Sequence, residues 1–131
     1  MSRGTILVAD DEPAIRTLIT NILKVEGYRL IEAVDGLDAL QKIRQQDAQI
    51  DLLLTDVRMP RMDGMALARR VVEALPGTPV LYISAFPFDL EEERARHEAC
   101  VFLPKPFTRK VLLDAVRKCL QSPEGAAGAA G

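Results

Sequence analysis

A handful of residues could do chemistry together in this chain: Asp10 and Asp11, Asp56, Ser84 and Lys105. Each stands at the end of a short apolar run. Asp10-Asp11-Glu12 follows Thr5–Ala9, Asp56 follows Leu52–Thr55, Ser84 closes Val80–Ser84, and Lys105 lies between Pro104 and Pro106 after Cys100–Leu103. Carboxylates gathered in one place repel: at an effective dielectric of about 20, two unit charges about 4 Å apart cost roughly 4 kcal/mol. Such a group must take up protons, spread apart or recruit a cation. A hard divalent ion meets that need, and Mg²⁺ in particular uses one or two carboxylates plus phosphate oxygens. Lys105 adds a compact positive charge suited to phosphate, and Ser84 adds a hydroxyl donor. The chemistry implied is phosphoryl transfer, which depends mainly on positioning and charge neutralisation. Asp56, central in the set, would be the nucleophile that forms an aspartyl phosphate. Taken singly, the residues have plainer readings. Asp11 or Glu12 could cap a helix that begins near Pro13, Asp56 could open the turn marked by Pro60 and Gly64, and Ser84 could be structural. The weight comes from all of them ending successive strands of one sheet.

A sheet must bring those residues together. The five apolar runs, with the second at Leu30–Ala33 after Tyr28, read as buried parallel strands. Between them the apolar spacing is helical. Ile15, Leu18, Ile19, Ile22 and Leu23 form one face, Leu37, Leu40 and Ile43 a second, Ala68, Val71, Val72 and Leu75 a third, and Leu112, Leu113, Val116, Cys119 and Leu120 the last. The segment Asp89–Ala99 is expected to be a fourth helix with a weak apolar face, its first turn marked by Glu91-Glu92-Glu93. Gly27 fits the left-handed residue that ends the first helix, Pro76-Gly77 and Pro79 break the chain after the third, and Thr108 fits the N-cap of the last. The order is therefore (βα)5, which implies an α/β fold: a doubly wound, five-stranded parallel sheet with helices on both faces. In such sheets ligands bind outside the carboxyl ends of the strands.

Length and composition set bounds. The chain has 131 residues, 48% hydrophobic and 27% charged, with net charge −2, which suits one globular domain. That charge offers no broad basic surface for direct nucleic-acid binding. Cys100 and Cys119, without CxxC spacing, read as small reduced core residues in a cytoplasmic protein, and no apolar run is long enough to span a membrane. His97 reads as a surface residue. Residues 1–121 are expected to form the domain, and 122–131 (SPEGAAGAAG) a disordered tail or linker remnant.

Four motifs now carry a family resemblance. Leu7-Val8-Ala9-Asp10-Asp11-Glu12-Pro13, Asp56-Val57-Arg58-Met59-Pro60-Arg61-Met62-Asp63-Gly64, Ile83-Ser84-Ala85 and Leu103-Pro104-Lys105-Pro106-Phe107 occur in order and at suitable spacing. Over roughly residues 5–121 the chain resembles the receiver domain of two-component response regulators. The resemblance implies a flavodoxin-like strand order 2-1-3-4-5. It implies that Asp56 accepts a phosphoryl group from a phosphohistidine on a histidine kinase or histidine phosphotransfer protein. It further implies Mg²⁺ (or Mn²⁺) held by Asp11, Asp56 and the backbone carbonyl of Arg58, with Asp10 helping through water, and Lys105 contacting the phosphoryl oxygens. Ser84 and Phe102 would be switch residues that alter the face built by the fourth helix, fifth strand and fifth helix, through which a homodimer could form. Arg58 and Phe86, two residues beyond Asp56 and Ser84, would tune phosphoryl lifetime. The apolar run Phe86-Pro87-Phe88 would either pack on the domain or contact a partner. The endings of the fourth and fifth strands resemble receivers of hybrid kinases.

Three other classes compete, of which a nucleotide- or flavin-binding protein is remote, since the chain has no GxGxxG and no P-loop motif. A phosphatase with a nucleophilic aspartate, resembling the haloacid dehalogenases, wants a second aspartate two residues after the first, where this chain has Arg58. An interaction module that does not depend on phosphorylation would keep the fold while lacking turnover of phosphate at Asp56.

Overall fold

The computed structural model of the chain describes residues 3–46, 49–85 and 101–121. Five strands form one parallel sheet: β1 (Thr5–Ala9), β2 (Arg29–Ala33), β3 (Leu52–Asp56), β4 (Val80–Ser84) and β5 (Val101–Pro104), in the order β2-β1-β3-β4-β5. Four helices are described: α1 (Pro13–Val25), α2 (Gly36–Gln46), α3 (Gly64–Ala74) and α4 (Arg109–Gln121). The expected helix at Asp89–Ala99, with His97, Cys100 and Phe86-Pro87-Phe88, lies outside the described residues, as does the tail from Ser122.

Alternation along the strands decides which helix lies where. Ile6, Val8, Leu52, Leu54, Leu81, Ile83 and Leu103 point to one face, where α1 contributes Ile19, Ile22 and Leu23 and α4 contributes Leu112, Leu113, Val116 and Cys119. Leu7, Ala9, Leu53, Val80 and Tyr82 point to the other, covered by Ala39, Leu40 and Ile43 of α2 and Leu67, Ala68 and Val71 of α3. Both faces of β3 and β4 are buried along their whole length, as continuous apolar runs require. Each fully buried Leu or Ile there contributes roughly 1.5–3 kcal/mol. The helical stripes are narrower than their periodicity predicts. Leu18, Leu37 and Val72, read as core positions, stand at the stripe edges and are exposed.

Strand limits shift by one residue in places. β3 runs on to include Asp56, which pairs in register with Ile83, and Val57 N–H donates to the Ile83 carbonyl (3.0 Å). The ladder outlasts the apolar run because a central strand has a partner alongside to accept its hydrogen bonds. β2 begins at Arg29, which pairs with Thr5, and β5 is described over Val101–Pro104, with Pro104 beside Ser84. Gly27 is the left-handed residue that ends α1 (φ 97°). Tyr28 N–H donates to Leu23 O and Gly27 N–H to Lys24 O, the paired bonds of a Schellman ending. Thr108 caps α4, its hydroxyl accepting from Val111 N–H (3.1 Å).

Candidate functional site

The carboxyl ends of β1, β3, β4 and β5 meet at one edge, and the residues there come from far apart in the chain. Asp10 leaves β1 with its amide still bonded to Ala33 O (3.1 Å), and Lys105 leaves β5 with its amide bonded to Ser84 O (2.9 Å). The sheet ladder therefore sets both backbones before their side chains act. The Lys105 ammonium lies 2.9 Å from Asp56 Oδ2, 2.8 Å from Glu12 Oε1 and 3.5 Å from Asp10 Oδ2. Carboxylate oxygens of Asp10, Asp11 and Asp56 all fall within 4.8 Å of one another. Asp10 and Asp56 are buried, while Asp11 faces solvent.

One cation serves several anions, and the protonation equilibria reflect it. Burial pushes the Asp10 carboxyl up to about 6 from an ordinary 3.8, and the charge on Asp56 adds to this against the Glu12 N–H bond and Lys105. Asp56 is also raised: burial outweighs the hydrogen bond and charge of Lys105, and Asp11 repels it. Burial alone would lower Lys105, but its bonds to Glu12 and Asp56 hold it above its ordinary value. The site thus keeps its ammonium charged and makes Asp10 and Asp56 reluctant to ionise, chiefly because both carboxyls are buried. Asp10 Oδ1 accepts from Glu12 N–H (2.9 Å). Its Oδ2 is buried and has no hydrogen-bond partner, a costly state for an ionised oxygen. A buried carboxylate oxygen without a hydrogen bond, beside two further carboxylates, fits a divalent cation: the group could hold a metal.

Residues 6–117 match the family profile described as the response regulator receiver domain. The chain belongs to that family. Sporulation initiation phosphotransferase F of Bacillus subtilis (strain 168) is 31% identical, over 92% of this chain and 96% of its own length. Sensor kinase CckA of Brucella abortus (strain 2308) is 31% identical over 92% of this chain, which spans only 13% of that kinase. The crystal structure of the receiver domain from hybrid histidine kinase CckA shares 36% identity and a TM-score of 0.76, covering 90% of this chain and 100% of that one. The receiver domain thus belongs with two-component systems, and its strand order is the one the resemblance implied. Among its described residues, no helix is long and apolar enough to cross a membrane.

Within the receiver, the site residues read from sequence divide into groups. Asp10, Asp11, Asp56 and Lys105 come together as described above. Arg58 N–H donates to Asp56 Oδ1 (3.3 Å), so the loop leaving β3 orients that carboxylate. Ser84 is buried at the end of β4, and alternation puts it on the Tyr82 face of the sheet. Phe102 is half-buried on the same face, its ring 5.4 Å from that of Tyr82 and inclined by 32°. Phe86 lies outside the described residues.

The helix-capping reading of Glu12 fails in part. Glu12 occupies the N-cap position of α1, but its side chain caps no amide and reaches Lys105 instead. That pairing spans 93 residues, so only the acidic run at 10–12 hinted at it. Asp35 and Arg61, which pair beside the site at 2.6 Å, went unnoticed in the sequence. The signal available was weak: an Asp-Gly pair opening a helix, and one basic residue in the Pro60–Gly64 turn.

The raised Asp10 equilibrium has a measurable consequence. A carboxyl whose folded value is raised destabilises the fold once ionised. The penalty is absent below 3.8, grows as pH rises and is complete above about 6. Asp10→Asn should therefore stabilise the metal-free protein at neutral pH by on the order of 2 kcal/mol, the gain vanishing toward pH 4. Thermal midpoints of both proteins against pH in EDTA test this. A constant difference across the range would show that ionisation of Asp10 is not its source.

Proposed function

We propose that this receiver accepts a phosphoryl group on Asp56 from a phosphohistidine of a sensor kinase or histidine phosphotransfer protein. The observation that carries the reading is the Lys105 ammonium 2.9 Å from the Asp56 carboxylate, at the mouth of a carboxylate group able to hold a cation. An Asp56 carboxylate oxygen forms the new bond to phosphorus as the phosphorus–nitrogen bond of the donor imidazole breaks, the bonding pair leaving on that nitrogen. Lys105 then holds phosphoryl oxygens where it now holds Asp56 and Glu12. Asp11 and Asp56 with the Arg58 carbonyl, and Asp10 through water, would hold Mg²⁺ or Mn²⁺, which when bound neutralises charge on the carboxylates and the transferring group. The domain is a phosphoacceptor that assists its own phosphorylation and dephosphorylation rather than an enzyme acting on other molecules. Arg58 stands where the phosphatase reading needs its second aspartate.

The switch follows from the same geometry. A phosphoryl group brings negative charge and strong acceptors to one sheet edge. Ser84, buried at the end of β4, turns toward those acceptors, and Phe102, which now lies against Tyr82, repacks inward into the vacated space. Two discrete packings then change the face around β5 and α4. Phe102 lacks a hydroxyl, so its inward state rests on packing alone. Arg58, exposed beside Asp56, borders the path of attacking water and sets the lifetime. The relatives include both kinase-linked and phosphotransferase chains, which supports a relay partner carrying histidine.

Intact-protein mass after incubation with acetyl phosphate tests the reading. A gain of one phosphoryl group in Mg²⁺ that disappears in EDTA is expected. A gain indifferent to EDTA would remove the metal from the mechanism. No gain under conditions that label another receiver would favour an interaction module working without phosphate.

A further inference from the structure

The loop between β3 and α3 contains a strained residue that the phosphoacceptor reading leaves unexplained. Arg61 has φ 69°, a conformation that side chains beyond glycine seldom adopt. It sits at the centre of a γ-turn in which Met62 N–H donates to Pro60 O (2.7 Å), a tight form of turn that is rare and strained. Strain of this kind persists only where the surroundings impose it. Here they do. Arg61 Nε donates to Asp35 Oδ2 at 2.6 Å, and Asp35 is only 4% exposed. Burial alone would raise the Asp35 carboxyl, but the guanidinium and the Asp38 amide hold it below its ordinary value. Its other oxygen accepts from Asp38 N–H (2.9 Å), capping α2. The next residue continues the join. Gly36 N–H donates to Met62 O (3.3 Å), and a Cβ on Gly36 would meet that oxygen and the Met62 side chain at 2.7 Å. Only a residue without a side chain lets the two loops come this close.

We propose that the Arg61–Asp35 clasp is a positioning device for the phosphoryl site. The clasped loop is the one whose Arg58 amide holds Asp56 Oδ1 and whose Gly64 amide donates to Val57 O (2.9 Å). Tied to the β2–α2 turn at Asp35 and Gly36, it cannot swing away from the sheet edge. Arg58 therefore presents its amide to Asp56, and its carbonyl to the cation, from a fixed place. Arg61 and Asp35 touch neither substrate nor metal and act through the loop. This inference rests on the reading of Asp56 and the Arg58 carbonyl as metal ligands.

Three variants of the full chain separate the clasp from simple stability. Arg61→Gln removes the guanidinium. Arg61→Gly also removes it but relieves the strain, because glycine accepts positive φ. Asp35→Asn keeps a good helix cap and loses the charge that holds Arg61. Titration calorimetry with Mg²⁺ should show affinity about 10- to 100-fold weaker in all three, as loss of an outer support to a metal site does, even where Arg61→Gly melts no lower than wild type. In EDTA, the Met62 and Gly36 amides should exchange about tenfold faster or more in the variants, reporting local opening. Mg²⁺ affinity unchanged in variants of a wild type that does bind it, or unchanged amide exchange, would overturn the clasp alone. A wild type that binds no Mg²⁺ would overturn the metal site and this inference with it.

Discussion

Asp56→Asn is expected to take up no phosphoryl group from acetyl phosphate, with Mg²⁺ present at any concentration, while keeping the fold. An amide oxygen is too poor a nucleophile to replace a carboxylate, and no other carboxylate shares its setting. Asp11 faces solvent, and the Asp10 carboxyl is buried with Lys105 at 3.5 Å against 2.9 Å for Asp56. The fold should survive because an amide oxygen can still accept from the Lys105 ammonium, so no buried cation is stranded. The metal-free variant should in fact melt higher than wild type. Burial disfavours ionised Asp56 in the fold, and Asp11 repels it as well, so removing its charge relieves both costs. Intact mass and thermal midpoint in EDTA check both halves. Undiminished labelling of the variant would place the acceptor elsewhere. Labelling lost together with the fold would make Asp56 a structural residue first.

Gly64→Ala should cost roughly 3 kcal/mol or more, the upper range for overpacking, and lower the melting midpoint by about 10 °C. The α3 helix begins against the end of β3. A Cβ on Gly64 would overlap the Asp56 carbonyl oxygen and lie 3.0 Å from Thr55 Oγ1. Neither neighbour can yield cheaply: the carbonyl belongs to a central strand and itself accepts from the Thr55 hydroxyl (2.9 Å). Something larger must move, either the start of α3, held by the Asp63 cap on Ala66 N–H (2.8 Å), or the backbone of Asp56 itself. Phosphoryl uptake should therefore fall along with stability. A variant that melts within a degree or two of wild type would mean that α3 shifts freely and the contact is not a constraint.

The four chemical positions were legible because parallel α/β sheets place functional residues at a predictable place, the carboxyl ends of their strands. Once the apolar runs are recognised, Asp10, Asp56, Ser84 and Lys105 each need only their place in the chain to be assigned to the same edge. Punctuation was legible for a similar reason: Gly27 and Thr108 act on backbone groups within a few residues of themselves. The site's neighbours were not. Glu12 looked like a cap, Gly64 looked like an ordinary turn residue and Arg61 gave no signal of its own, because what they touch lies on other elements.

The sequence by itself determined the alternation of strands and helices, the fold class and the set of residues that could carry phosphoryl chemistry. Apolar periodicity and turn chemistry are local, and the handedness of βα crossovers does the rest. Only the tertiary structure decided how those residues share charge. It placed one ammonium among Asp56, Glu12 and Asp10, left Asp10 Oδ2 buried without a hydrogen bond and brought Asp35 onto Arg61 across 26 residues. Such outcomes depend on small differences in distance between segments far apart in the chain, and on the burial that turns those distances into pKa shifts and strain. Neither quantity exists until the sheet has closed.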